Sequence, residues 1–342
     1  MDQVYLYEKT FNATTVTSNS DFVIKSNKNL QTPPLVLPCQ QDGLDNTANL
    51  TYTNAPWEDD DYKNVPFESN TAINDRKLPG QNIPYPFLTA GDFFQATLCK
   101  TGYPFDNDNF HLFTDLEQGF LLPLKQTFFD YFDVKNLSTL VNGQKMLEFR
   151  QSQVDPNTID VILRIPVQQN QHITYTKSYS QNPTGNKPAK GKVVDYSFGM
   201  AIFPNYKLSK NNQYRIAFYN DSNNANANLT FLKASDNSIV EISQASKNNA
   251  ANNDLDSNYF KIEDAFEYML VQDGNGNCGL LIPKFKDGNT GQDAFEFAID
   301  FGTTNTHIEY RREQERPKAF DIQKKDIQLK SDCDKTKFYE FL

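Results

Sequence analysis

Apolar and polar positions alternate along most of the chain beyond Met146. Met146–Arg150, Ile159–Ile165, His172–Lys177, Val193–Phe203, Tyr214–Tyr219, Leu229–Leu232 and Ile239–Ser243 alternate or are rich in β-branched and aromatic residues. That pattern predicts strands. Polar turn clusters, such as Asn182-Pro-Thr-Gly185 and Asp221 to Asn228, separate them, so the stretch reads as a sandwich or large antiparallel sheet. Two further strands are predicted near the start, at Val4–Tyr7 and Asp21–Lys25, and the prolines of Pro33–Pro38 keep that segment extended.

Helical spacing is confined to residues 90 to 141. Asp92 is placed to cap a helix over Ala90–Leu98. Leu121, Leu124, Phe128 and Phe132 recur at three and four residues, which predicts one apolar helix stripe with Pro123 in its first turn. Such a stripe could dock a partner, but aromatic stripes more often enter a core. A short turn then leads to a second helix, Leu137 to Val141.

The chain is closed by a different pattern. Phe295–Phe301 alternates, with Phe297, Ile299 and Phe301 on one side and Ala298 and Asp300 on the other. Gly302 and three small polar residues turn the chain, and His307–Tyr310 resumes as a second strand. Pro317–Ile322 and Ile327–Lys330 continue the meander. A hairpin tip with Asp, Gly and a run of hydroxyls suits phosphate. The Gly admits close backbone approach, successive N–H groups face a concave tip, and a carboxylate can hold a divalent ion through water.

Phe297-Ala-Ile-Asp-Phe-Gly-Thr-Thr-Asn-Thr306 resembles the first phosphate motif of the Hsp70 chaperones, within the wider actin, sugar-kinase and Hsp70 superfamily. Every motif position is filled, from Ala298 through Thr306. The resemblance implies ATP and Mg2+ as ligands. Asp300 would hold Mg2+ through water, Gly302, Thr303, Thr304 and Asn305 would supply phosphate donors, and Thr306 would support the loop. It covers about thirty residues, and the second phosphate loop and adenosine segment of that superfamily do not follow it. The expectation is therefore the opening of an incomplete ATPase domain, preceded by a β-rich leader that recognises a partner or substrate. The whole is expected to be β-rich α+β. It divides into an α+β region with long loops at 1–145, a sandwich-like region at 146–292 and the opening β-meander of an actin-like ATPase domain at 293–342. The alternative is a non-enzymatic β-rich interaction protein with a coincidental hairpin. ATPase activity is implied only for a full-length protein, and this chain alone is expected to be inactive.

Composition narrows the partners. Net charge is -10, and no run of basic residues exceeds Arg311-Arg312 or Lys324-Lys325, which argues against nucleic acid. No window approaches the ~20 apolar residues of a membrane helix, and the N-terminus lacks the basic and apolar regions of a signal peptide, so a cytoplasmic location and a protein partner are expected. Apolar residues are 38%, but 27 Phe and 17 Tyr supply enough area for a core. Cys39, Cys99, Cys278 and Cys333 are scattered, and His111, His172 and His307 sit at no metal spacing, so zinc and disulfide frameworks have no support. Asp273–Gly279 lacks the Gly and Glu that a calcium loop needs and reads as a turn. Trp57–Tyr62 reads as a solvated acidic loop and Asn248–Asn253 as a loop tip.

Overall fold

A computed structural model describes residues 35–36, 72, 75, 87–88, 90–102, 104–114, 116, 118–167, 171–183, 190–208, 210, 212–221, 227–233, 238–247, 255–288, 293–301, 306–321 and 323–331. The expected strands Val4–Tyr7 and Asp21–Lys25, the acidic Trp57–Tyr62 stretch and Asn248–Asn253 lie outside these residues. The protein is β-rich with short helices, and its described residues fall into two compact units. The first takes residues 1–197, 223–239 and 266–282; the second takes 198–222, 240–265 and 283–342.

The first unit contains a six-stranded sheet in the order Gly119–Phe120, Thr97–Thr101, Lys190–Asp195, Gln171–Ser180, Ile159–Val167, Leu147–Gln151. Ile159–Val167 and Gln171–Ser180 form its longest antiparallel ladder, from Ile159↔Tyr179 to Val167↔Gln171. Lys190–Asp195 runs parallel to both neighbours, so the sheet is mixed rather than purely antiparallel as the strand pattern predicts. A smaller antiparallel sheet joins Asn228–Leu232, Tyr268–Gln272 and Cys278–Leu281. Phe93, Leu98, Phe128, Val161, Leu163, Tyr175, Tyr179 and Tyr268 contribute to one continuous core. Large aromatic areas thus supply the burial that a low aliphatic content would not. Tyr179 packs on Gly191, where a Cβ would collide with the ring and come 2.8 Å from the Ala96 carbonyl. Its hydroxyl donates to the carbonyl of Gln95 at 2.8 Å.

The helical expectations for 90 to 141 need correction. The α-helix covers only Ala90–Phe93, and the chain is already a strand by Thr97–Thr101. Leu121 to Leu124 is extended, bridging to Leu280 through Leu122 and to Phe94 through Leu124. Pro123 lacks an N–H and disfavours the α region at Leu122, while its carbonyl accepts from Gln95 N–H at 2.8 Å. Only Gln126–Asp130 and Val134–Ser138 turn, as 3-10 helices, the latter held by a capping box between Asp133 and Asn136. Leu121, Leu124, Phe128 and Phe132 are nevertheless all buried, so the stripe is core material in another conformation.

The second unit contains a five-stranded antiparallel sheet in the order Ile242–Lys247, Leu255–Ile262, Tyr214–Asp221, Phe198–Phe203, Gln328–Ser331. Val193–Phe203, read as one strand, is therefore two, broken at Tyr196 and Ser197. Phe198, Met200, Ile202, Tyr214, Ile216, Phe218, Phe260 and Ile262 share one face by register and are buried. Short parallel strands pair Tyr206–Leu208 with Lys286–Gly288, and a separate three-stranded sheet joins Phe295–Phe301, Thr306–Arg312 and Lys318–Ala319.

Candidate phosphate hairpin

The three-stranded sheet of the second unit is built from the alternation seen in sequence. Phe295–Phe301 and Thr306–Arg312 pair antiparallel from Phe295↔Arg312 to Phe301↔Thr306. Phe301↔Thr306 is the last described pair, and Gly302, Thr303, Thr304 and Asn305 stand between its two residues in sequence. Those four lie outside the described residues. Asp300 stands opposite His307 in the last ladder pair but one, with an exposed side chain, and Thr306 is in the closing pair.

The sheet has two unlike faces. Glu296, Ala298, Asp300, His307, Glu309 and Arg311 share the polar one, by register. Arg311 Nε donates to Glu296 Oε2 at 2.6 Å across the strands, and His307 Nε2 lies 3.2 Å from Glu309 Oε1. Arg312, which stands opposite Phe295 on the other face, pairs with Asp293 at 2.9 Å. All of these are solvent-exposed pairs that contribute little individually, and the cross-strand Arg311–Glu296 pair favours this register over a slipped one.

The other face is apolar. Phe295, Phe297 and Ile299 are 46%, 56% and 50% exposed, and Phe320 from beyond the third strand is 41% exposed. Tyr310 lies among them, with ring centroids 6.0 Å from Phe295 and 6.2 Å from Phe297 and Phe320. Phe320 N–H donates to the Ile308 carbonyl at 2.8 Å, which carries its ring onto this face. The sequence pattern identifies the apolar side of Phe295–Phe301, but alternation is the signal of a half-buried strand and gives no warning that the side is half exposed.

Other candidate groups are inert or satisfied. Among the described residues no group of three His, Cys, Asp or Glu side chains is arranged to hold a metal. Burial pushes the Cys99 thiol up to about 12, with Asp273 and Cys278 adding to the shift, and burial also raises Cys278. Neither is a ready thiolate at neutral pH. Asp273 accepts the N–H groups of Asn275 and Asn277 and the side-chain amide of Asn277, each at 2.8 Å, so its carboxylate organises the turn. His111 stacks on Phe113 beside a small apolar cavity in the first unit.

Among the described residues no helix is long and apolar enough to cross a membrane. Comparison of the chain with protein-family models, with curated proteins and with solved structures finds no match.

Proposed function

We propose that the hairpin at 295–312 is the first phosphate-binding element of an Hsp70/actin-like ATP-binding protein, and that the β-rich remainder recognises a protein partner or substrate. The observation that carries this reading is the end of the ladder at Phe301↔Thr306. It supports a tip drawn from Gly302-Thr303-Thr304-Asn305, which follow Asp300 after the single residue Phe301. The donor set suits the group: an exposed carboxylate for a hydrated Mg2+, a Gly for close approach, and hydroxyl and N–H donors for phosphate oxygens. In this role the chain's residues bind and orient phosphate. Mg2+ offsets its charge, as in other phosphoryl-handling sites.

One hairpin supplies only part of a nucleotide site, so the 342-residue chain is expected to bind Mg·ATP with a dissociation constant on the order of 1 mM and without steady hydrolysis. Calorimetric titration checks this. Gly302→Val, which blocks the close approach, should abolish the heat of binding, and Asp300→Asn should remove its dependence on Mg2+. Heats unchanged in both variants would refute the assignment. Steady ATP turnover by the chain would refute its expected inactivity.

A second reading is favoured by one specific observation. The half-exposed face of Phe295, Phe297, Ile299, Tyr310 and Phe320 is what a β-rich interaction protein would offer a partner, with the tip playing no chemical part.

A further inference from the structure

The five-stranded sheet of the second unit buries one face and carries an uneven surface on the other. On that second face the register sets Ala201 beside Ala217 and Phe203 beside Arg215. The next strand places Tyr259 beside Ala217 and Lys261 beside Arg215. Two methyl groups at the centre, with larger side chains around them, leave a depression in the sheet surface. A cavity of about 200 Å³ lies there, lined by Ala201, Phe203, Arg215, Ala217, Tyr259 and Ile327.

Its chemistry is mixed. Ala217 gives an apolar floor with the buried Ala201 beside it, and Phe203, Tyr259 and Ile327 give apolar walls of which two are aromatic. Arg215 is the cation in the lining, and it is exposed. Its Nη1 donates to the carbonyl of Tyr214 at 3.2 Å, one of the five N–H donors a guanidinium carries. The neighbouring Lys261 is held by an ion pair with Glu263. Glu263 also acts on Arg215 electrostatically, and the planar fork of that guanidinium still offers a carboxylate a bidentate face.

We propose that this cavity is a binding site for a small planar aromatic carboxylate. The ring lies over Ala217 between the Phe203 and Tyr259 side chains, and the carboxylate meets the Arg215 guanidinium. Size limits the ligand: the cavity falls below the ~300–1,000 Å³ of sites for drug-sized molecules, which restricts it to one or two fused rings. Within a chain of net charge -10, a cation set against aromatic walls is the feature that selects an acid over a neutral ring. The site shares no residue with the phosphate hairpin, and its fate is independent of that reading.

The test is titration of the whole chain with 2-naphthoate and with its uncharged analogue 2-naphthalenemethanol, followed by calorimetry and by amide NMR shifts. Saturable 2-naphthoate binding is expected, with shifts at Ala201, Arg215, Ala217 and Tyr259, and about tenfold weaker binding of the alcohol, the size of one charge-assisted contact. Arg215→Gln should erase the difference between the two ligands. Ala217→Leu, which fills the floor, should abolish both. Absence of saturable binding, shifts mapping elsewhere in the unaltered protein, or full acid preference in Arg215→Gln would each overturn the proposal. The mapping on the unaltered chain decides the matter even if Ala217→Leu fails to fold.

Discussion

Arg164 shows how single residues stabilise the first unit. It is 6% exposed, and its Nη1 donates to the Lys145 carbonyl at 2.7 Å while its Nη2 meets Glu148 Oε2 at 2.8 Å. A buried guanidinium is tolerated because its donors are spoken for on two sides. Arg164→Ala would remove both contacts, but Lys145 is exposed and Glu148 half-buried, so water replaces part of what they lose and the cost is about 1–2 kcal/mol. Arg164→Lys should recover little, since one ammonium cannot span both acceptors. Urea unfolding of the two variants checks this. His172 gives a pH dependence. Burial, and secondarily the charge of Arg164, hold its pKa below the ordinary value of 6.5, and its Nδ1 lies 3.1 Å from the Asn142 side-chain amide. The folded state therefore prefers the neutral ring. Its contribution is fully present above the unfolded pKa and is lost as pH falls through that value toward the lowered folded one. Thermal melts should show a decline below about pH 6.5 that is smaller in His172→Gln.

At the scale of elements, the hairpin is the part most legible in sequence. Phe297, Ile299 and Phe301 fall on one side and Ala298 and Asp300 on the other, and both strands form with these sets on opposite faces. Leu121 to Phe132 was not legible. Its spacing fits a helix, but Pro123 and the bridges to Leu280 and Phe94 override it, and the bridge partners lie far away in sequence. Local periodicity carries no information about such partners. Parallel pairing of Lys190–Asp195 with Thr97–Thr101 escapes for the same reason, because nothing in either strand encodes the direction of its neighbour. The aromatic face of the hairpin has a direct consequence. Phe297→Ser and Phe320→Ser together remove two half-exposed rings from it. They should lower binding of an apolar dye and reduce any concentration-dependent association seen by light scattering, while leaving the Mg·ATP heats unchanged. Loss of those heats in the double variant would tie the face to the tip and count against treating them separately.

At the scale of the molecule, each compact unit is assembled from three separated stretches of chain. The β-rich character is legible because strand signals recur along the whole sequence. The cavity of the second unit is not, since Ala201, Arg215, Tyr259 and Ile327 become neighbours only through the register of a sheet whose strands are not all consecutive. The chemistry proposed for the molecule rests on one motif. Its residues follow from sequence alone.

The most direct test is a backbone amide NMR titration of the chain with Mg·ATP. Fast-exchange shifts are expected to concentrate at residues 300 to 306, to be reproduced in part by Mg·ADP and to be lost in Gly302→Val. Shifts that fall elsewhere, or a hairpin tip that stays silent at millimolar nucleotide, would contradict the phosphate-binding assignment and leave the apolar face as the functional feature of this sheet.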